Sequence, residues 1–169
     1  AANIEWWEDE QTILIRGVIN NDDFDKVLPY IAKADMVYID SIGGSVKSAI
    51  LIGIQVRLNG INTVVGKECY SACSIIFAGG IKRMANIDSI IGMHSPAYVN
   101  EDDMPFEKSL TSAYNAGVIH AATIGLYYIE MGVTPNVSLG HLLTPNSKML
   151  IKTNIEWLDD NLITDILPK

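Results

Sequence analysis

Residues 36–58 read MVYIDSIGGSVKSAILIGIQVRL, and the pattern changes character midway. Met36-Val37-Tyr38-Ile39-Asp40 is a short apolar run rich in β-branched and aromatic residues, the mark of a buried strand. Gly43-Gly44 breaks it, and from Val46 to Leu58 apolar residues recur at helical spacing until Asn59-Gly60 supplies a stop. Strand, glycine turn and helix in that order form the opening of a β-α-β unit, and the rest of the chain repeats the alternation.

Upstream, Thr12-Ile13-Leu14-Ile15-Arg16-Gly17-Val18-Ile19 reads as a strand, and Asp22-Asp23 offers an N-cap to a helix carrying Phe24, Val27, Leu28 and Ile31. Downstream, Asn62 to Gly66 is a third strand, Ser71 to Ala78 a helix stopped by Gly79-Gly80, and Ser89 to His94 a further strand running into Ser95-Pro96. Beyond an acidic loop from Asn100 to Pro105, a long helix is expected from Phe106 to about Met131, framed by Pro105, Gly132 and Pro135. Met149 to Lys152 and Asn154 to Asp160 form a closing strand-helix pair. The expected class is α/β, a parallel sheet flanked by helices, in a single domain over residues 1–169.

Composition narrows the function. Hydrophobic residues make up 49% of the 169 and charged residues 19%, an apolar balance that predicts a thick core or subunit contacts, hence a homo-oligomer. Twelve Lys and Arg against twenty Asp and Glu give a net charge of −8, with acids grouped at Glu5 to Glu10, Asp22 to Asp25 and Glu101 to Asp103. A nucleic-acid interface needs a basic face, so that class is excluded. No apolar run reaches the roughly 18 to 20 residues of a membrane span. The chain opens Ala1-Ala2-Asn3 without an initiator Met, the form left by a removed leader or by trimming, so the compartment stays open.

In a parallel α/β sheet the loops at the carboxyl ends of the strands converge on one edge, where helix N-termini present free N–H groups. Three such loops carry reactive or permissive residues: Asp40-Ser41-Ile42-Gly43-Gly44, Glu68-Cys69-Tyr70-Ser71 and His94-Ser95-Pro96. Singly each has a plain reading, since a serine at a helix start is usually a cap and Gly-Gly usually a turn. Together they supply a hydroxyl, an imidazole and backbone donors, the parts of an acyl-transfer site. Cys69 and Cys73 stand at i and i+4 around Ser71, about 6 Å apart on a regular helix and within disulfide reach. A disulfide is expected in an oxidising compartment, and small packed residues in a reducing one. Their spacing lacks the Cys-x-x-Cys pattern of zinc motifs, so no metal is expected, and a cysteine nucleophile at Cys69 is a lesser option. His120 and His141 read as packing residues, the second in a loop-like stretch after Gly140. Trp6-Trp7 reads as an N-terminal strand covering the core.

The runs Tyr38 to Val46, Gly66 to Ser74 and Ile91-Gly92-Met93-His94-Ser95-Pro96 closely resemble the three core blocks of the proteolytic subunit of Clp protease, and the likeness extends over roughly Thr12 to Ile166. The Cys-x-Ser-Ala-Cys variant and Val56-Arg57-Leu58 resemble a divergent branch often regarded as exported. The resemblance implies repeated ββα units of the ClpP/crotonase kind, with Ser71 as nucleophile, His94 as general base, and Gly44, helped by Gly43, with Ala72 as oxyanion hole. It implies peptide or unfolded protein as substrate, no cofactor, and subunits stacked into rings through the long helix. Two positions depart from the family: Ile42 stands where it has Pro, and no acid precedes the segment Ile151 to Glu156 where its third triad residue, an Asp, belongs. An orienting group for a catalytic imidazole need not be charged, so Asn146 or Ser147 is the expected substitute. A catalytically impaired binding or assembly protein is the main rival. A crotonase-type acyl-CoA enzyme is the third reading, disfavoured because Glu68 is the sole acid in the nucleophile block.

Overall fold

A computed structural model describes residues 1–96 and 106–169; the acidic loop from Asn100 to Pro105 and the Glu101 to Asp103 cluster lie outside the described residues. The chain opens with an antiparallel pair, β1 (Asn3–Trp7) and β2 (Thr12–Arg16), in which Trp6 faces Ile13. β1 covers the core edge as expected of the Trp6-Trp7 segment, with the Trp6 ring stacked 5.4 Å from that of Tyr30. After α1 (Asp23–Ile31) come β3 (Met36–Ser41), α2 (Val46–Leu58), β4 (Asn62–Tyr70) and α3 (Ala72–Ala78). These place parallel strands side by side, β2 on β3 and β3 on β4, as the alternation of residues 12–78 predicts. The Asp22-Asp23 expectation changes in detail. Asp22 makes no side-chain cap, and the buried Asp23 instead accepts the N–H of Asn20 at 2.7 Å, tightening the turn before the helix.

Short strands complete the sheet: β5 (Arg83–Asn86), β6 (Ile90–Met93), β7 (Leu150–Ile151) and β8 (Asp165–Leu167). Among the described residues the eight strands form one sheet in the order β1-β2-β3-β4-β5-β8, with β6 pairing β4 and β7. The sheet is mixed, which corrects the expectation of a purely parallel one: β1 runs against β2, and β7 runs against β6. Both reversals lie where a short connection or a returning segment replaces a helical crossover.

The helices α4 (Phe106–Glu130), α5 (Pro135–Leu143) and α6 (Asn154–Asp159) follow β6. α4 matches the expected long helix to within a residue at its end. α5 corrects the loop-like reading around His141, which sits in this helix and is 1% exposed. Its start carries Thr134 and then Pro135 in the first turn, a position where proline loses no helical hydrogen bond. α6 begins with a capping box, the Thr153 side chain accepting from the N–H of Glu156 while the Glu156 carboxylate accepts from the N–H of Thr153.

The buried apolar residues form one cluster that includes Ile13, Ile39, Ile52, Val65, Ile76, Phe77 and Trp157. α3 lies inside it with all seven residues buried. α4 is the opposite: Ile124, Tyr127 and Tyr128 anchor its C-terminal part, while Tyr114, Val118, Ile119, Leu126 and Ile129 stand in solvent. No helix among the described residues is long and apolar enough to cross a membrane.

Candidate active site

β4 bends to reach the site. Its register against β3 shifts between Ile39, paired with Val65, and Ser41, paired with Cys69, so β4 takes two more residues than β3 over the same length. The Asp40 carboxylate fills the gap by accepting the N–H of Glu68 at 3.1 Å, and Gly66 leaves room for Tyr38, whose hydroxyl would lie 2.2 Å from a Cβ there. Such a bulge re-aims a strand. Beyond it Glu68, Cys69 and Tyr70 leave the β5 side and pair in parallel with Ile90, Ile91 and Gly92 of β6.

Ser71 stands where β4 turns into α3, with φ 55° and ψ −124°. A non-glycine residue in this region carries about 1–3 kcal/mol of backbone strain, and sharp strand-to-helix turns of this sort expose a serine hydroxyl in hydrolases. Three sets of bonds hold it. Its N–H donates to Gly92 O at 3.0 Å, its carbonyl accepts from the N–H and the hydroxyl of Ser74 at 2.9 and 2.7 Å, and a disulfide joins Cys69 to Cys73 across the corner. The disulfide confirms one of the two alternatives for these cysteines. With both sulfurs bonded and buried, neither a Cys69 nucleophile nor a metal site built from the pair remains available.

The glycine turn presses on this corner. Gly43 and Gly44 adopt φ 100° and 139°, and a Cβ on Gly43 would lie 2.9 Å from Ser71 Cβ and 3.2 Å from Ala72 N. Gly44 is tighter still, its Cβ position 2.1 Å from Ile19 O. The turn is fastened by Ile19, whose N–H donates to Gly43 O at 2.8 Å and whose carbonyl accepts from Ser45 N at 2.8 Å. Buried Ser41 adds to it, donating to Gly17 O and accepting from Gly43 N. Among the described residues the N–H groups of Gly44 and Ala72 enter no hydrogen bond. Two unspent donors therefore flank the Ser71 corner, an arrangement that can hold a developing oxyanion. Ile42 is 56% exposed and leaves both glycines in place.

His94 follows the last residue of β6. Since Tyr70 pairs with Gly92, Ser71 and His94 emerge from the ends of adjacent strands. The Ser71 hydroxyl makes no hydrogen bond with His94, a looseness common in substrate-free sites. The His94 Nδ1 atom is buried and has no hydrogen-bond partner among the described residues. Asn146 and Ser147 do not fill that place. Both are exposed in the turn that follows Pro145, just beyond Thr144, whose carbonyl accepts the N–H of Ser95 at 2.8 Å. The sequence brought these two residues near the imidazole through their order in the chain, but the turn presents them to water.

A polar group that the sequence does not advertise lies behind the corner. The Ser74 hydroxyl, besides its bond to Ser71 O, is 3.3 Å from the Tyr128 hydroxyl, which is 3.2 Å from His141 Nδ1. Burial raises the pKa of Tyr128 and lowers that of His141 to about 4, the latter helped by the nearby imidazoles of His120 and His94. Ser74 is visible in sequence only as a serine one turn into α3, and nothing local links it to residues 128 and 141. Beside the glycine turn an open groove of about 560 Å³ runs between α2 and α4, lined by Val46, Ile50, Leu51, Ala116, Ile119 and Thr123 among others. No group of three or more His, Cys, Asp or Glu among the described residues is placed to hold a metal ion. No protein-family model and no curated protein matches the chain.

Proposed function

We propose that the chain is a serine-type peptidase with a ClpP/crotonase-like arrangement. The hydroxyl oxygen of Ser71 attacks a peptide carbonyl carbon as the His94 imidazole takes its proton, and the N–H groups of Gly44 and Ala72 hold the resulting oxyanion. Collapse of the tetrahedral adduct passes the proton from His94 to the leaving amine, and water then repeats the sequence on the acyl-serine. The observation that carries this reading is the strained Ser71 corner lying against the Gly43-Gly44 turn, since strain held in place by so many bonds is characteristic of sites where a side chain must be presented. The groove beginning at Val46, two residues past Gly44, suits an apolar substrate side chain. The exposed apolar residues of α4 suit a homo-oligomer, ring-forming in the family it resembles, and the Cys69–Cys73 bond suits an exported chain.

One observation favours a second reading. The His94 Nδ1, which has no partner among the described residues, and the lack of an acid before Ile151 fit a catalytically impaired binding or assembly protein that retains the fold. A crotonase-type acyl-CoA enzyme is supported least, because Glu68 is the sole acid in the segment leading to Ser71 and the neighbouring Asp40 carboxylate is taken up by the Glu68 N–H. A coenzyme A titration without saturation removes that option.

The deciding experiment is labelling with a fluorophosphonate probe, the adduct mapped by mass spectrometry in wild type, Ser71→Ala and His94→Ala. An adduct on Ser71 that both substitutions abolish supports the peptidase. Absence of any adduct on a folded sample moves the assignment to the binding or assembly protein.

A further inference from the structure

Nδ1 of His94 and Nε2 of His141 are buried ring nitrogens that have no hydrogen-bond partner among the described residues. The segments carrying them run side by side. A Cβ on Gly140 would lie 3.6 Å from Met93 Sδ, and Thr144 O accepts from Ser95 N at 2.8 Å, so residues 140–144 lie along residues 93–95. His94 and His141 fall inside that bracket.

The hydrogen bonds behind them set the direction of every proton. Ser74 has one hydroxyl hydrogen, and the 2.7 Å bond to Ser71 O uses it. In the 3.3 Å contact between Ser74 and Tyr128 the tyrosine is therefore the donor, and the Tyr128 oxygen is left to accept from His141 Nδ1–H at 3.2 Å. A neutral imidazole protonated on Nδ1 has a bare lone pair on Nε2. We infer that His141 is the positioning residue for His94, its Nε2 accepting a hydrogen bond from His94 Nδ1–H across one ordered water. That bond selects the His94 tautomer whose Nε2 is free to take the Ser71 proton, the task an aspartate performs in a Ser-His-Asp triad. The two corners of the site are thereby joined, because the same chain ends on the carbonyl of Ser71.

Burial keeps His141 uncharged down to about pH 4, and the titratable groups facing it are His120 and Tyr128 from α4 and His94 from the end of β6. A neutral acceptor orients the base without lending a negative charge to the imidazolium. This inference rests on the peptidase reading, yet its central claim, the tautomer of His94, is measurable without catalysis.

The test combines ring-nitrogen NMR of His94 with fluorophosphonate labelling rates in wild type, His141→Gln, His141→Ala and Tyr128→Phe. Wild type is expected to hold His94 with its proton on Nδ1. His141→Gln, whose amide oxygen can occupy the Nε2 position, keeps that tautomer and labels within about tenfold of wild type. Tyr128→Phe keeps the bulk of the ring but removes the acceptor for His141 Nδ1–H, so it mixes the His94 tautomers and slows labelling by about 100-fold or more, as loss of an orienting partner does. His141→Ala does the same if it folds, and Tyr128→Phe carries the test if it does not. An unchanged His94 tautomer in Tyr128→Phe overturns the inference, whatever the labelling. A tautomer that responds in a protein that never labels upholds the positioning role and removes the peptidase reading alone.

Discussion

Ser71 and His94 leave adjacent strands only a few residues from their last ladder bonds, yet one is locked and the other is loosely held. Ser71 is fixed through its own N–H, through two bonds to its carbonyl, through the Cys69–Cys73 bridge and by the Gly43-Gly44 turn packed on it. His94 has the end of a four-residue strand behind it and an Nδ1 with no partner among the described residues. The difference follows from what each residue needs. A backbone carrying about 1–3 kcal/mol of strain persists only if several bonds of about 1 kcal/mol each over-determine it. An unstrained residue needs no such frame, so the orientation of its ring depends on whatever polar atom faces it.

The contrast can be broken most forcefully at Gly44. Gly44→Ala forces a Cβ to within 2.1 Å of Ile19 O at a φ of 139°, and a loss of about 3 kcal/mol or more in unfolding free energy is expected, together with loss of probe labelling. Denaturant titration measures it, and near-wild-type stability would show that the turn yields more easily than its bonds imply.

Acid acts on the other side of the comparison. His141 has a folded-state value of about 4 against 6.5 when exposed, so between these values the unfolded chain binds the extra proton. Its contribution is therefore fully present above pH 6.5, falls as pH drops, and is lost by pH 4, an effect of about 3 kcal/mol. Urea unfolding of wild type and His141→Gln across that range checks the sign, the variant giving the flatter profile.

The disulfide comes next. Replacing both Cys69 and Cys73 by Ala is expected to remove about 2 kcal/mol for so short a loop and to lower Tm by about 4–8 °C, with the site corner loosened and labelling slowed. A smaller shift with unchanged labelling would mean that the Ser74 bonds alone hold the corner. The smallest effect is a gain: Ser71→Gly places at φ 55° a residue that tolerates it, and about 1 kcal/mol of added stability is expected alongside complete loss of labelling. No gain would show that Ser71 is not strained.

Local pattern explains which elements could be anticipated. α2 and α4 announce themselves because a glycine or proline bounds a long apolar period, and the Cys69–Cys73 pair is suggested by its four-residue spacing, although the bond in fact spans the corner from β4 to α3. β5 and β8 have four and three residues and carry no period to read, whereas β7 falls inside the expected Met149 to Lys152 strand. α5 was obscured by Gly140, which lowers helix propensity; its value appears only where Leu150 packs against it, a Cβ at Gly140 lying 2.7 Å from the Leu150 side chain.

The amino-acid sequence by itself determined the alternation of strands and helices, the glycine turn, and the three loops bearing Ser71, His94 and Gly43-Gly44. Each of these depends on residues within a turn or two of one another. Tertiary structure alone decided that β6 lies between β4 and β7, that Asn146 and Ser147 face water, and that Ser74, Tyr128 and His141 meet behind the Ser71 corner. Those three residues lie 54 and 13 positions apart, and what brings them together is the burial of the whole of α3 against the buried faces of α4 and α5. Once buried, a hydroxyl, a phenol and an imidazole must find partners in one another.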